Sequence, residues 1–239
     1  MLYNIRYGTG SKRLLFPWSG YFRDTIQNTL DLADFIKSME PDVVGLVEVD
    51  AGSFRSGRRN QAEMIAERIG HFHSYRSKYG KTGMLRKLPL MNKQGNAFLT
   101  KDTFKNVGFH YFKEGVKKLV IELELRDLNI YLVHLALGYR IRQSQLADLY
   151  ALVKSSDKPH IIAGDLNTRW GEHEIKLFLA ATGLQNADKY QTPTYPSWAP
   201  KRHLDFILYS PGLKVKRFWV PYVSFSDHLP LVCDIEVTG

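Results

Sequence analysis

The sequence predicts an α/β fold in which two packed β-sheets carry helices on their outer faces. Three observations predict it. Short apolar runs typical of strands recur along the chain and outnumber the helical segments, two neighbouring runs are placed to form a hairpin, and several segments repeat apolar residues at helical spacing. The 239 residues show no internal repeat, low-complexity tract or Pro/Gly/Ser linker. We therefore expect a single domain over residues 1–239.

Three helices are predicted from apolar residues that recur every three or four positions. The residues at this spacing are Ala62, Ile65, Ala66 and Ile69; Leu146, Leu149 and Val153; and Ile26, Leu30 and Ala33, which follow Asp24. Amphipathic helices of this kind pack one face on a sheet.

The strands are predicted from alternation and from short apolar runs. Residues 119–125 alternate between apolar leucines or isoleucine and other residues with the period of two that a strand requires. Residues 129–135 follow across a turn and predict an antiparallel hairpin. The remaining runs predicted as strands are residues 43–48, 97–100, 161–163, 206–209 and 231–235.

Composition excludes several classes of protein. With 44% hydrophobic and 13% aromatic residues, the chain is neither disordered nor fibrous. The single cysteine, Cys233, excludes an intrachain disulfide and a Cys-rich zinc module. The longest apolar stretch, residues 128–139, is too short to span a bilayer. The first residues lack the pattern of a secretory signal, so we expect a cytoplasmic protein by default, or a secreted one if a signal was trimmed.

The charge balance points to an anionic partner. Thirty-three Lys and Arg against 24 Asp and Glu give a net charge of +9 and a pI near 9.5. This balance favours nucleic acid or an anionic lipid surface as a partner. Nothing in the sequence indicates an obligate protein partner.

Polar residues stand at the ends of the predicted strands, where loops present side chains to ligands. They are Asn4, Glu48, His134, Asp165, Asn167, Asp205, Asp227 and His228. Each alone has an ordinary structural explanation, because Asp caps turns and helices and a strand His packs in cores.

In chain order, the segments YNIR, LVEVD, GNAFLTK, VHL with RQSQL, GDLN, HLDFI and SDHLPL resemble the successive motifs of the endonuclease/exonuclease/phosphatase superfamily, which has the fold of deoxyribonuclease I. The match runs from Tyr3 to Leu231. The resemblance implies a four-layer α/β sandwich, with two packed mixed β-sheets flanked by helices. It also implies a divalent-metal site that hydrolyses phosphoesters, with Mg2+ as the cofactor and Mn2+ as its substitute.

The resemblance implies a role for each matching residue. Glu48 is the expected metal ligand, although Val47 replaces the Gln that is usual before it. Asp165 and Asn167 match the GDxN motif, and Asn4 lies close to Glu48 in the family. A carboxylate such as Asp165 can accept a proton from the attacking water, while Asn4 and Asn167 bind phosphate or orient Asp165.

The second half of the site follows the same resemblance. Asp227 and His228 match the SDH motif, and Asp205 matches the Asp that holds this His. Asp205 would fix the tautomer of His228 and favour its protonated form. His134 matches the His of the deoxyribonuclease I branch and is the expected proton donor to the leaving group. Either Asp165 or the Asp205–His228 pair is then the general base.

Substrate contacts are predicted at three cationic residues. Arg6 follows the deoxyribonuclease I pattern, and Arg140 and Lys201 flank motif residues. The other basic clusters in predicted loops are expected to form a solvated face. They contain Arg55, Arg58, Arg59, Lys78, Lys81, Arg86, Lys87, Arg142 and Arg202.

The apolar stretch 13–22, which includes Phe16 and Trp18, follows the first strand. We expect it to pack under the next helix, and the alternatives are a stacking wall for bases or a wedge in a lipid interface. Aromatic residues that either line the cleft or pack in the core are Tyr75, Tyr79, Tyr195 and Trp198.

The sequence thus predicts an Mg2+-dependent phosphodiesterase or nuclease that acts on nucleic acid. The alternative is a lipid-directed phosphodiesterase or phosphatase, sphingomyelinase-like or phosphoinositide phosphatase-like, on the same fold. A third hypothesis is a catalytically silent binding module, which the retention of every expected catalytic residue type opposes.

Overall fold

The computed structural model describes residues 1–11, 24–77 and 93–238. The helices in chain order are α1 (Ile26–Ser38), α2 (Gln61–Ile69), α3 (Tyr139–Lys154) and α4 (Lys176–Thr182). The strands are β1 (Leu2–Asn4), β2 (Val43–Asp50), β3 (Phe72–Ser77), β4 (Gln94–Thr100), β5 (Asn106–Tyr111), β6 (Leu119–Glu124), β7 (Asn129–His134), β8 (His160–Asp165), β9 (Gln185–Asn186), β10 (Asp205–Tyr209), β11 (Leu213–Trp219) and β12 (Val232–Val237).

The strands form two large mixed sheets and a small ribbon. The first sheet has the order β1-β2-β4-β3, the second has the order β5-β6-β7-β8-β10-β9, and β11 pairs with β12. The pairs β1–β2 and β7–β8 are parallel, whereas the others are antiparallel. The predicted hairpin is the antiparallel pair β6–β7.

Period-two alternation places the core in layers. Along β7, Leu132 belongs to the apolar cluster that joins the two sheets, and Val133 belongs to the cluster between the second sheet and α3 and α4. Along β2, Leu46 packs under α1 and α2, while Val47 faces the second sheet. The order is therefore helices, sheet, sheet, helices, and the predicted α/β sandwich is confirmed.

The elements without a sequence signal lie at the margins of this sandwich. Strands β3, β5 and β11 are partly exposed along most of their length and carry many polar residues. Helix α4 is short, continues directly from a 3-10 turn, and buries only Phe178. Because few of their side chains are buried, these elements show neither a clean alternation nor a helical stripe.

Two arginines from the predicted solvated face are buried instead. Arg55 is fully buried and its Nη2 lies 2.7 Å from Asp50 Oδ2. The guanidinium of Arg142 is also fully buried, and it pairs with Glu174 and donates to the carbonyl of Ala136 at 2.9 Å. A buried guanidinium needs such partners, because an unpaired buried charge is costly. Both residues therefore stabilise the fold and are unavailable to a ligand.

Several sequence predictions concern residues outside the described ranges. These are the apolar stretch with Phe16 and Trp18, the aromatic Tyr79, and the basic residues Lys78, Lys81, Arg86 and Lys87. Within the described ranges, no helix is both long and apolar enough to cross a membrane.

Candidate active site

Three of the predicted site residues form a row at one end of the second sheet. His134 is in register with Asp165, which is in register with Asp205 on its other side. Each lies two positions from a residue that packs between the sheets, such as Leu132 or Ala163. Because alternate residues of a strand share a face, the three residues lie on the face of the second sheet that packs against the first sheet, at one end of that sheet.

Glu48 reaches the same end from the first sheet by way of a β-bulge. The register between β2 and β4 shifts between Leu46 and Val49, so that Val47 and Glu48 together oppose Asn96. Glu48 has a φ of 59°, and its amide nitrogen lies 3.4 Å from the Asn96 side-chain oxygen. The extra residue of a bulge changes the direction of the neighbouring side chains, and Glu48 here lines the cleft.

Hydrogen bonds to both carboxylate oxygens hold the Asp165 side chain in place. Its Oδ2 accepts a hydrogen bond from the side-chain Nδ2 of Asn4 at 3.1 Å, and its Oδ1 accepts one from the backbone N–H of Asn167 at 2.9 Å. Asn167 has a φ of 53°, a left-handed backbone conformation that asparagine adopts more readily than most residues. Its side-chain Nδ2 donates a hydrogen bond to the Leu135 carbonyl at 2.9 Å. His134 Nε2 lies 3.4 Å from Asp165 Oδ2. Asn4, Asn167 and His134 thus surround one carboxylate.

The surroundings of Asp165 keep it ionised. Burial alone raises the pKa of this carboxyl, but the hydrogen bond to His134 and the charges of His228 and Lys117 outweigh burial and hold the pKa well below its usual range. Asp165 is therefore a carboxylate at neutral pH although its side chain is only 3% exposed.

Asp205 and His228 form a buried pair behind Asp165. Asp205 Oδ2 lies 2.8 Å from His228 Nδ1 and accepts a hydrogen bond from Thr194 Oγ1 at 2.5 Å. Burial lowers the pKa of His228, but the negative charge of Asp205 and the hydrogen bond to it raise the pKa to about 10. The imidazole is therefore protonated at neutral pH, with its Nε2 4.0 Å from Asp165 Oδ2.

His134 has the opposite charge state. Burial, and next the ammonium of Lys117, lower the pKa of His134 to about 4. Lys117 Nζ contacts His134 Nε2 and lies 3.9 Å from Glu48 Oε1. His134 is therefore neutral near pH 7, and the imidazolium that donates a proton most readily is a minor form. Its role as the proton donor stays a prediction.

The remaining predicted residues lie in two settings. Asp227 and Arg6 line the cleft and form an ion pair, with Arg6 Nε 3.3 Å from Asp227 Oδ2. Burial raises the pKa of Asp227. Arg140, on α3, and Lys201 are both exposed, and neither lines the cleft. The structure thus brings Arg6 to the site and leaves Arg140 and Lys201 outside it, and their contacts with substrate stay predictions.

The cleft also contains residues that the motifs did not indicate. It has a volume of about 780 Å³, and the unexpected lining residues include Lys117, Arg169 and Arg202. Tyr195, one of the aromatics that the sequence left open, lines it too, with its ring centroid 5.0 Å from that of His228. Trp198 is exposed, and Tyr75 packs against the α1 and α2 side of the first sheet. Arg169, two positions after the GDLN motif, and Arg202, directly before the HLDFI motif, had a local signal in the sequence, whereas Lys117 had none.

Potential metal ligands cluster in the site, although His228 is protonated and paired with Asp205. Asp165, Asp205 and His228 each offer a ligand atom, and these atoms lie within 4.8 Å of one another. Glu48 comes from the first sheet, with its side chain 18% exposed and its Oε1 3.8 Å from His134 Nε2. The site therefore combines carboxylates from both sheets.

A sequence profile of the endonuclease/exonuclease/phosphatase family matches residues 1–228. The chain belongs to this family. Members of the family are phosphoester hydrolases, and they typically work with a divalent metal ion. The resemblance that the sequence motifs indicated is confirmed.

Solved structures agree with the fold. An endonuclease/exonuclease/phosphatase from Beutenbergia cavernae DSM 12333 is similar with a TM-score of 0.75 and 18% identity, over 100% of this chain and 71% of that chain. The human Nocturnin catalytic domain with bound sulfate anion is similar with a TM-score of 0.66 and 20% identity, over 99% of this chain and 92% of that chain. These similarities confirm the deoxyribonuclease I-like fold.

The similarity to a curated relative spans less than half of this chain. A UPF0294 protein from Vibrio vulnificus (strain YJ016) is 31% identical over 109 residues, which are 44% of this chain and 37% of that protein. The chain therefore matches less than half of the length of this relative.

The charge state of His228 can be measured without any substrate. In an NMR titration we expect the wild-type His228 to keep its positive charge until the pH rises through about 10. Asp205→Asn removes the neighbouring negative charge while burial remains, so the pKa of His228 should fall by about 1 to 3 units or more and the charge should be lost at lower pH. The exposed Asp102→Asn serves as the control and should leave the titration unchanged. An unaltered His228 pKa in Asp205→Asn would contradict the pairing.

Proposed function

We propose that this chain is an Mg2+-dependent phosphodiesterase that hydrolyses nucleic acid. One observation carries the proposal: the ionised Asp165, the protonated His228 and Lys117 line the same cleft, with His228 Nε2 4.0 Å from Asp165 Oδ2. Phosphodiester hydrolysis needs a base for the attacking water and positive groups for the charge on the phosphoryl oxygens. The cleft contains both.

The donor set suits Mg2+. This ion prefers oxygen ligands, keeps several water molecules, and needs only one or two protein carboxylates. Glu48 presents a partly exposed carboxylate to the cleft, so a hydrated ion has access to it. Asp205 and His228 are bonded to each other and Asp205 does not line the cleft, so Glu48 is the carboxylate that would hold the ion. When bound, the ion supplies positive charge to the phosphate; Mn2+, which takes similar oxygen ligands, is the expected substitute.

The two charge states favour Asp165 as the general base. An imidazolium has no free lone pair, so His228 at neutral pH cannot take a proton from water. Asp165 is ionised, and Asn4 and Asn167 hold both of its oxygens in place. His228 instead donates from Nε2 to a phosphoryl oxygen, and Asp205 keeps it charged and oriented.

Nucleic acid is the substrate that the charges favour. The net charge of +9 attracts a polyanion, and several cationic side chains line the cleft. Tyr195 adds an aromatic ring at the same wall, and aromatic rings stack on bases.

The metal requirement is tested by removing the ion and its ligand. Chelation should abolish hydrolysis of plasmid DNA and of a chromogenic diester, and added Mg2+ or Mn2+ should restore it. Glu48→Gln should raise the Mg2+ concentration needed for half-maximal rate by tenfold or more, because an amide is a weaker ligand than a carboxylate. The exposed Glu63→Gln, on α2, is the matched control and should behave as wild type. Full activity in excess chelator would disprove the proposal.

The nucleic-acid substrate is tested by the salt dependence of binding. For duplex DNA binding by the Glu48→Gln protein, the logarithm of the association constant should fall linearly with the logarithm of the salt concentration. The slope should be about −0.9 per phosphate neutralised. Lys117→Met should flatten this slope by about one unit, whereas Lys101→Met, at the opposite end of the first sheet, should leave it unchanged. Undetectable DNA binding at low salt, together with binding to neutral vesicles, would instead support a lipid substrate.

A further inference from the structure

One wall of the cleft carries two arginine side chains from separate loops. Arg169 follows β8 and Asn167, and Arg202 closes the hairpin that begins at Tyr195. Both arginines are exposed and both line the cleft, whereas Asp165 lies buried beside them. They therefore stand at the entrance to the reacting centre.

Direct hydrogen bonds hold the two loops side by side. Thr168 Oγ1 donates to the His203 carbonyl at 2.9 Å, and Thr168 and His203 are the chain neighbours of the two arginines. The Leu166 amide donates to the Leu204 carbonyl at 2.8 Å and continues the same contact. The two guanidinium groups therefore project from adjoining backbone segments.

Each loop is also fixed by its own contacts. The Arg169 and Trp170 amides both donate to Glu174 Oε1, with the Trp170 distance at 3.0 Å, and the Glu174 carboxylate is held by the buried Arg142. Arg202 exchanges backbone hydrogen bonds with Tyr195 at 2.9 and 3.1 Å. Binding at these arginines therefore requires little ordering of the backbone, which favours affinity.

The guanidinium groups have no acidic partner of their own. Over residues 1–11, 24–77 and 93–238, neither Arg169 nor Arg202 has a carboxylate oxygen within 4.0 Å, whereas Arg6 pairs with Asp227 and Arg142 pairs with Glu174. A guanidinium binds phosphate through two parallel hydrogen bonds, so two adjacent ones suit a phosphate group well.

We propose that Arg169 and Arg202 form a second phosphate subsite, which binds a phosphate of the substrate other than the one that is hydrolysed. The inference rests on the proposed function and deepens it: the substrate carries a second phosphate one linkage from the scissile bond. That phosphate is either an internal diester of a longer strand or a terminal monoester, and both present the same oxygens to the arginines.

The test compares substrates that share a scissile diester, two of which carry a second phosphate. We would measure kcat/KM for a thymidine dinucleotide, the same dinucleotide with a 5′-phosphate, and the trinucleotide. The wild type should prefer a phosphate-bearing substrate by tenfold or more, the factor that a charge-assisted hydrogen bond supplies. A larger gain for the trinucleotide identifies an internal diester as the second phosphate, and a larger gain for the 5′-phosphate identifies a terminal monoester.

Variants then assign the preference to the two arginines. The double variant Arg169→Gln with Arg202→Gln should keep its activity on the plain dinucleotide and lose the preference, because both side chains are exposed and neither holds Asp165. Arg126→Gln, in the β6–β7 turn at the far end of the second sheet, is the matched control and should keep the preference. No preference in the wild type, or an undiminished preference in the double variant, would overturn the subsite.

A binding measurement separates this inference from the proposed function. By calorimetry, thymidine 3′,5′-bisphosphate should bind the wild type at least tenfold more tightly than thymidine 5′-monophosphate, and the double variant should lose this difference. If the wild type hydrolyses none of the three nucleotides, the nucleic-acid function fails and the calorimetric difference still decides the subsite. Equal affinities for the two ligands in the wild type would refute it.

Discussion

The carboxylate of Asp165 is ionised although its side chain is buried, and the rest of the site depends on how the fold permits this. Burying a charge is costly unless hydrogen bonds and opposite charges compensate for it. Asn4 and Asn167 supply the hydrogen bonds, and His228 and Lys117 supply the positive charge. These partners come from the first sheet and from three loops, whereas Asp165 ends a strand of the second sheet, so the sandwich must close correctly before Asp165 can be ionised.

The same closure explains the charge states of the two histidines. His134 is buried beside a lysine, which keeps it neutral, and His228 is buried beside Asp205, which keeps it charged. Neighbours rather than burial alone therefore decide which histidine carries the positive charge. A neutral ring and a charged ring thus both lie near Asp165 Oδ2, at 3.4 and 4.0 Å.

The sequence predicted the residues that follow from strand parity and motif order. His134, Asp165 and Asp205 each end or begin an apolar strand, and the alternation of that strand already implies the face on which they lie. The pairing of Asp205 with His228 came from the family motifs, because the two residues lie 23 positions apart and no local pattern joins them.

Residues outside the motifs could not be predicted in this way, because distant contacts place them. The Lys117 carbonyl accepts a hydrogen bond at 2.8 Å from Gln145, 28 positions away, and this contact helps to fix the loop that brings its ammonium to Glu48. Arg202 reaches the cleft because the neighbouring His203 carbonyl meets Thr168, 35 positions earlier. Before the fold is known, such cations look like any exposed charge.

The central claim, that Asp165 is the base in phosphodiester hydrolysis, is tested most directly by the turnover of Asp165→Asn on a diester substrate with Mg2+ present. Asparagine has nearly the same shape but cannot accept the proton, so kcat should fall by about 10² to 10⁴ while the circular dichroism spectrum is unchanged. The exposed Asp157→Asn, in the turn between α3 and β8, should retain wild-type turnover. Turnover of Asp165→Asn equal to that of the wild type would contradict the account.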